Sequence, residues 1–234
     1  MDSRVFNESG EPTLLFVMGF GNRLDGENER WFLDRLTGAG YRVRAIQLPT
    51  NIADFDRAYR GPVQRIHDED PPAGVLSHSL GGLVTAFLET SAPQVFLSPW
   101  WGIYEGKVSA WERWLVPRLP IRAPVLPIKT RRDELGAHLP DEAWESIPKR
   151  ISPAFITEIY RAQQRRPPVG ADAVVFASLE DTIVSLQAIG EAVSATQTML
   201  YEGGHQLFSA AGRQEAVAEV LAVLPAGSEG GKSI

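Results

Sequence analysis

Short apolar runs of strand length alternate with amphipathic stretches along most of this chain, which predicts a βαβ series around a mostly parallel sheet. Leu14 to Met18 form an unbroken apolar run that ends at Gly19. Trp31, Phe32, Leu33 and Leu36 follow at helical spacing, with Asp25 as candidate cap and Gly38 and Gly40 as the stop. Val43 to Leu48 alternates with Arg42, Arg44 and Gln47, the pattern of a half-exposed strand. A weaker helical stretch from Ile52 to Ile66 is expected to break at Gly61-Pro62. Gly74 to Ser77 reads as a strand, followed by a helix carrying Leu83, Val84, Phe87 and Leu88, and then by a strand from Gln94 to Ser98. Ala173 to Ala177 and Gln197 to Tyr201 predict two further strands around a helix from Ile183 to Val193, and Ala210 to Leu224 a closing helix.

Between about residues 100 and 168 this rhythm stops. The segment holds nine prolines from Pro117 on and four of the six tryptophans before it. Val108, Trp111 and Leu115 share a helical face, and Ser152-Pro153 is a good cap and first turn for Phe155, Ile156 and Ile159. A helical insert that returns to a strand is a candidate cap. Residues 1–225, the insert included, fit one domain, and the Gly- and Ser-rich tail 226–234 is expected to be disordered.

Composition narrows the chemistry. With no cysteine among 234 residues, disulfides, thiolate metal sites and a catalytic thiol are excluded. A net charge of -6 argues against nucleic acid, whose phosphates need a basic face. No apolar run approaches the ~18 residues of a membrane span, and Met1 to Arg4 shows no secretory leader, so a cytoplasmic location is expected.

Ser77-His78-Ser79-Leu80-Gly81 lies directly after a strand and before a helix. A sharp strand-to-helix turn strains its central residue and needs small residues two before and two after it, here Ser77 and Gly81. Small-x-Ser-x-Gly strings also recur by chance, so position carries the argument. The arrangement resembles the nucleophile elbow of the α/β-hydrolase family, G-x-S-x-G, with Ser77 in place of the first glycine. Met18-Gly19-Phe20-Gly21 after the first apolar run resembles the family's H-G-x-G, with Met18 replacing His; the other reading is a plain Gly-rich turn. Ser178 to Val184 resembles G-x-x-D-x-x-V, again with serine for glycine, and His205 stands in Glu202-Gly203-Gly204-His205 just past the last strand.

The resemblance spans Leu14 to about Leu224 and implies an α/β fold. Its sheet would be mostly parallel, of about six strands flanked by helices, with a cap inserted after Gln94 to Ser98 and an edge strand near Val5-Phe6. It implies Ser79 as nucleophile, His205 as general base and acid, and Asp181 as orienting acid. The backbone N–H groups of Phe20 and Leu80 would form the oxyanion hole, with Gly19, Trp100 and Trp101 at the substrate. Alternatives stay open: Asp181 as a mere helix cap, Glu180 or Glu105 as the acid, and the tryptophans as simple packing. His67, His78 and His138 fit the base position poorly. A serine triad implies hydrolysis of a small-molecule acyl ester, without metal or cofactor. A thioesterase, a C–C hydrolase or a non-catalytic binding protein of the same fold are the alternatives.

Overall fold

The apolar runs form a seven-stranded sheet in the computed structural model of the chain, which describes residues 1–107, 109 and 114–226. Its strands are β1 (Asp2–Phe6), β2 (Thr13–Val17), β3 (Arg42–Gln47), β4 (Gly74–His78), β5 (Gln94–Leu97), β8 (Val174–Ala177) and β9 (Thr198–Leu200). Two short strands, β6 (Leu126–Pro127) and β7 (Arg150–Ile151), pair as a separate antiparallel ribbon. The sheet order is β1-β3-β2-β4-β5-β8-β9, and only the edge strand β1 runs antiparallel to its neighbour. The mostly parallel sheet of about six strands and the edge strand near Val5-Phe6 agree with the sequence; the antiparallel direction of β1 is seen only in the structure.

Strand alternation divides the core between the two faces of the sheet. Leu15 and Val17 pack on one side with Phe55, Tyr59, Leu83 and Phe155. Leu14 and Phe16 pack on the other with Phe32, Leu36, Phe208 and Val217. Phe16 meets Phe32 edge-on at 5.4 Å, and Phe32 stacks on Phe208 at 5.4 Å. Each such fully buried side chain contributes about 1.5–3 kcal/mol of apolar transfer. No helix among the described residues is long and apolar enough to cross a membrane.

Several local expectations are corrected. Gly26, not Asp25, is the N-cap of the helix Glu27–Gly38, which starts one residue too late for Asp25; the Asp25 carboxylate pairs with Arg23 at 2.9 Å instead. Gly61-Pro62 does not break its helix: a widened π turn, Asp56–Arg60, runs straight into the helix Gly61–Glu69, with Pro62 in its first turn. The wide turn absorbs the missing Pro62 N–H. The helix after the elbow covers only Leu80–Thr85, so Phe87 and Leu88 lie beyond it. The helix expected from Ile183 begins at Leu186, capped by the Ser185 hydroxyl.

The insert between β5 and β8 is mostly short pieces. Helices Arg132–Leu135 and Asp141–Ser146 flank loops, and the 12-residue helix Pro153–Gln164 closes it. Ser152 Oγ accepts the Phe155 N–H at 3.0 Å, the cap that Ser152-Pro153 predicts. Of the expected Val108, Trp111 and Leu115 face, Val108 and Trp111 lie outside the described residues, as do residues 227–234 of the tail.

Candidate active site

β4 ends at His78, and the chain reverses at Ser79 with φ 51° and ψ -114°, a strained conformation for a residue with a side chain. The turn is held from both sides. Ser79 N–H donates to Leu97 O on β5, and Ser79 O accepts from Gly82, Leu83 and Trp100. A Cβ at Gly81 would overlap the Val17 carbonyl, so glycine is obligatory there. Ser77 is accommodated because its buried Oγ accepts the Thr85 hydroxyl at 3.0 Å.

Ser79, Asp181 and His205 come from the ends of three strands and meet in one buried line. His205 Nε2 lies 2.8 Å from Ser79 Oγ, and His205 Nδ1 lies 2.7 Å from Asp181 Oδ2. A carboxylate only accepts, so His205 Nδ1 carries the hydrogen and Nε2 presents its lone pair to the Ser79 hydroxyl. Burial pushes the Asp181 carboxyl up, but the adjoining imidazole and the Ile183 and Val184 amides outweigh it and leave Asp181 below the usual carboxylate range. Asp181 Oδ1 accepts the Ile183 and Val184 N–H groups at 2.8 and 3.1 Å, holding a turn ahead of the helix that begins at Leu186 rather than capping that helix, while Oδ2 faces His205. Its neighbour Glu180 is exposed.

The His205 loop is tied to its surroundings by backbone. His205 N–H donates to Glu134 O at 2.9 Å and Gln206 N–H to Leu135 O at 2.8 Å, both acceptors belonging to the insert. The buried Tyr201 hydroxyl lies 2.9 Å from His205 O, 2.8 Å from Gly204 O and 2.8 Å from Ser98 Oγ. Ser178, the other serine in place of a family glycine, donates to Gly203 O and accepts the Glu180 N–H.

Ser79 and His205 open onto a cavity of about 330 Å³ whose walls come mainly from the insert, with Trp100, Leu126, Ile147, Ile151 and Phe155 among them. Phe20 lines it and packs on Phe155 at 5.3 Å. Two expected substrate contacts are placed elsewhere. Trp101 is buried below the elbow, its indole N–H on Gly82 O and its ring against Phe96, because the turn at Pro99 sends the two tryptophans opposite ways. Gly19 faces inward as well, its N–H donating to Asn22 Oδ1.

Sequence reasoning passed over Trp144 and Tyr160, which line the cavity, and Asn22 and Glu29, which are buried behind it. The only sequence signal for Asn22 was its place in the Gly-rich loop. His78, which fits the base position poorly in the sequence, has its ring buried 5.0 Å from that of His205, and burial pushes its pKa down to about 3, with His205 adding to the effect. His67 bonds Asp68 and Thr90, and His138 N–H bonds Ser209 O.

Comparison with known proteins agrees with this architecture. The monoacylglycerol lipase of Paleococcus ferrophilus superposes with a TM-score of 0.74 at 18% identity, covering 94% of this chain and 96% of that one. A soluble variant of monoglyceride lipase from Saccharomyces cerevisiae, solved with a substrate analog, superposes with a TM-score of 0.69 at 14% identity, covering 89% and 85%. A dihydrolipoyllysine-residue acetyltransferase component of the acetoin cleaving system from Cupriavidus necator is 40% identical over 98 residues. That match is 38% of this chain and only a quarter (25%) of that relative's length. The sequence profile of the alpha/beta hydrolase family matches residues 14–220, and the chain belongs to that family.

Proposed function

We propose that this protein is a serine hydrolase that cleaves a carboxylic ester of small or medium acyl chain through an acyl-enzyme. The observation that carries the reading is the buried Asp181–His205–Ser79 line, with contacts of 2.7 and 2.8 Å, opening on an apolar cavity. His205 Nε2 takes the Ser79 proton as Oγ attacks the ester carbonyl, then returns it to the departing alkoxide. Asp181 holds the imidazole in the required tautomer and stabilises its charged form. Water repeats the sequence on the acyl-enzyme, releasing the acid and restoring Ser79. The oxyanion would be held by the Leu80 and Phe20 amides, one beginning the helix after the elbow and the other in the glycine loop on β2. The insert would act as the cap, its apolar side chains excluding water and setting acyl length.

The test is labelling by a fluorophosphonate, read by intact mass, beside Ser79→Ala and His205→Ala. Labelling of the unmodified chain alone, with turnover of p-nitrophenyl butyrate, is the expected result. A folded chain that neither labels nor turns over the ester would leave a binding protein of this fold. Faster turnover of butyryl-CoA than of the ester would move the reading to a thioesterase.

A further inference from the structure

Behind the cavity three buried polar residues form a chain that the catalytic line does not use. Gly19 N–H donates to Asn22 Oδ1 at 2.9 Å, His78 Nδ1 lies 2.9 Å from the same oxygen, and Asn22 Nδ2 donates to Glu29 Oε1 at 2.6 Å. The Gly19 amide can only donate, so it fixes which way the Asn22 side chain points. With Oδ1 toward Gly19, the His78 Nδ1 must bring its own hydrogen. A Cβ on Gly19 would stand 2.5 Å from His78 Nδ1 and 2.7 Å from Asn22 Oδ1, so only glycine lets the three groups close. One amide oxygen thus joins the loop carrying Phe20 to the residue immediately before Ser79.

Glu29 is anchored in the first turn of the helix Glu27–Gly38 and is 6% exposed, with Asn22 4%. Burial raises its carboxyl above the usual range, eased by Asn22 and by backbone amides of Glu29 and Arg23. Burying a carboxylate against an amide rather than a cation is expensive, and an apolar pair of similar volume would stabilise the fold better. Neither residue lines the catalytic cavity. What the arrangement does achieve is a fixed distance between two loops.

We propose that Asn22, anchored by Glu29, is a positioning residue for ester hydrolysis. It clamps the Gly19–Phe20 peptide to His78 so that the Phe20 N–H is held where charge develops on the substrate oxygen. The proposal rests on the serine-hydrolase reading above, and its test has one arm that needs no activity.

In the kinetic arm, Asn22→Ala lowers kcat on p-nitrophenyl butyrate by about 10- to 100-fold, below the loss from removing an oxyanion donor outright. KM stays within about threefold, and the inhibition constant of butaneboronic acid, which becomes tetrahedral on Ser79, rises in step with the fall in kcat/KM. Asn22→Asp sets two carboxyl groups together and loses a similar amount. Adding Glu29→Gln restores a donor–acceptor pair and recovers at least threefold, a coupling that general destabilisation does not give. In the second arm, amide hydrogen exchange at Gly19 and Phe20 speeds up in Asn22→Ala and Asn22→Asp, and the His78 ring nitrogen shifts leave the Nδ1–H pattern. A kcat within twofold of the unmodified chain, a loss confined to KM, or unchanged exchange at Gly19 would each overturn the clamp. If the unmodified chain turns over no ester, the hydrolase reading falls, and the exchange arm still decides whether Asn22 holds the loop.

Discussion

The elbow around Ser79 and the insert around residues 99–168 face each other across one cavity, but they are built on different principles. At the elbow, backbone does the work: parallel strands on either side fix β4, a positive φ is imposed on Ser79, and glycine at 81 leaves no alternative. In the insert, side chains do it. Its elements are a ribbon of two-residue strands, short helices and the 12-residue helix carrying Phe155, whose ring touches both Phe20 and Trp100. The two regions meet at the His205 loop, where Glu134 and Leu135 of the insert accept two backbone N–H groups. The insert is therefore part of the support of His205 as well as the wall of the cavity. The rigid geometry of the Ser79–His205–Asp181 line comes from strand ends, while pocket shape comes from a segment free of the sheet's register.

That contrast can be broken at its strongest point first. Gly81→Ala drives a methyl group into the Val17 carbonyl, and is expected to cost about 4 kcal/mol or more, or to prevent soluble expression; urea unfolding measures it. Gly204→Ala tests the junction. Its Cβ would stand 2.5 Å from Glu134 O, so the insert must part from the His205 loop. A loss of about 2–3 kcal/mol with an activity drop of about tenfold is expected, and unaltered kcat would mean the insert does not support His205.

The third prediction concerns acid. Burial, and next to it His205, holds His78 at about 3 in the fold against 6.5 when free, so the unfolded chain takes the proton first. The His78 contribution to stability is then complete above about pH 6.5 and falls as pH drops toward 3, by about 2 kcal/mol at pH 5, while Glu29, whose raised carboxyl takes its proton first in the fold, opposes that loss. Asp181, held below its ordinary value, adds a further loss only below about pH 4. Chemical unfolding between pH 7 and 5 should show this slope, and His78→Gln should flatten it. The smallest effect is expected in the insert's outer face: Trp114, 61% exposed, should tolerate Ala within about 0.5 kcal/mol.

The legible parts of the sequence were those in which local pattern and tertiary role coincide. Ser79 between an apolar strand and Gly81-Gly82 was visible because a strained turn admits few residue types. Asp181 and His205 were visible because each follows an apolar strand, and strand ends are where a parallel sheet gathers side chains. Trp101 was misplaced because aromatic content marks burial without saying against what. Gly61-Pro62 was misread because the π turn that tolerates Pro62 has no short-range signature. Asn22 and Glu29 went unremarked, since one reads as a loop residue and the other as a first-turn acid.

The sequence by itself determined the order along the chain of the strands in the main sheet, their apolar faces and the three residues at the strand ends, because those follow from periodicity and from steric limits within a few residues. Tertiary structure alone decided which two serines could replace glycine, which tryptophan meets the cavity and which buried polar groups join. Ser77 is tolerated because Thr85 bonds it, and Ser178 because the Gly203 carbonyl receives it. Such outcomes depend on partners distant in the chain, and hydrogen bonds and packing across that distance leave no period in the sequence to read.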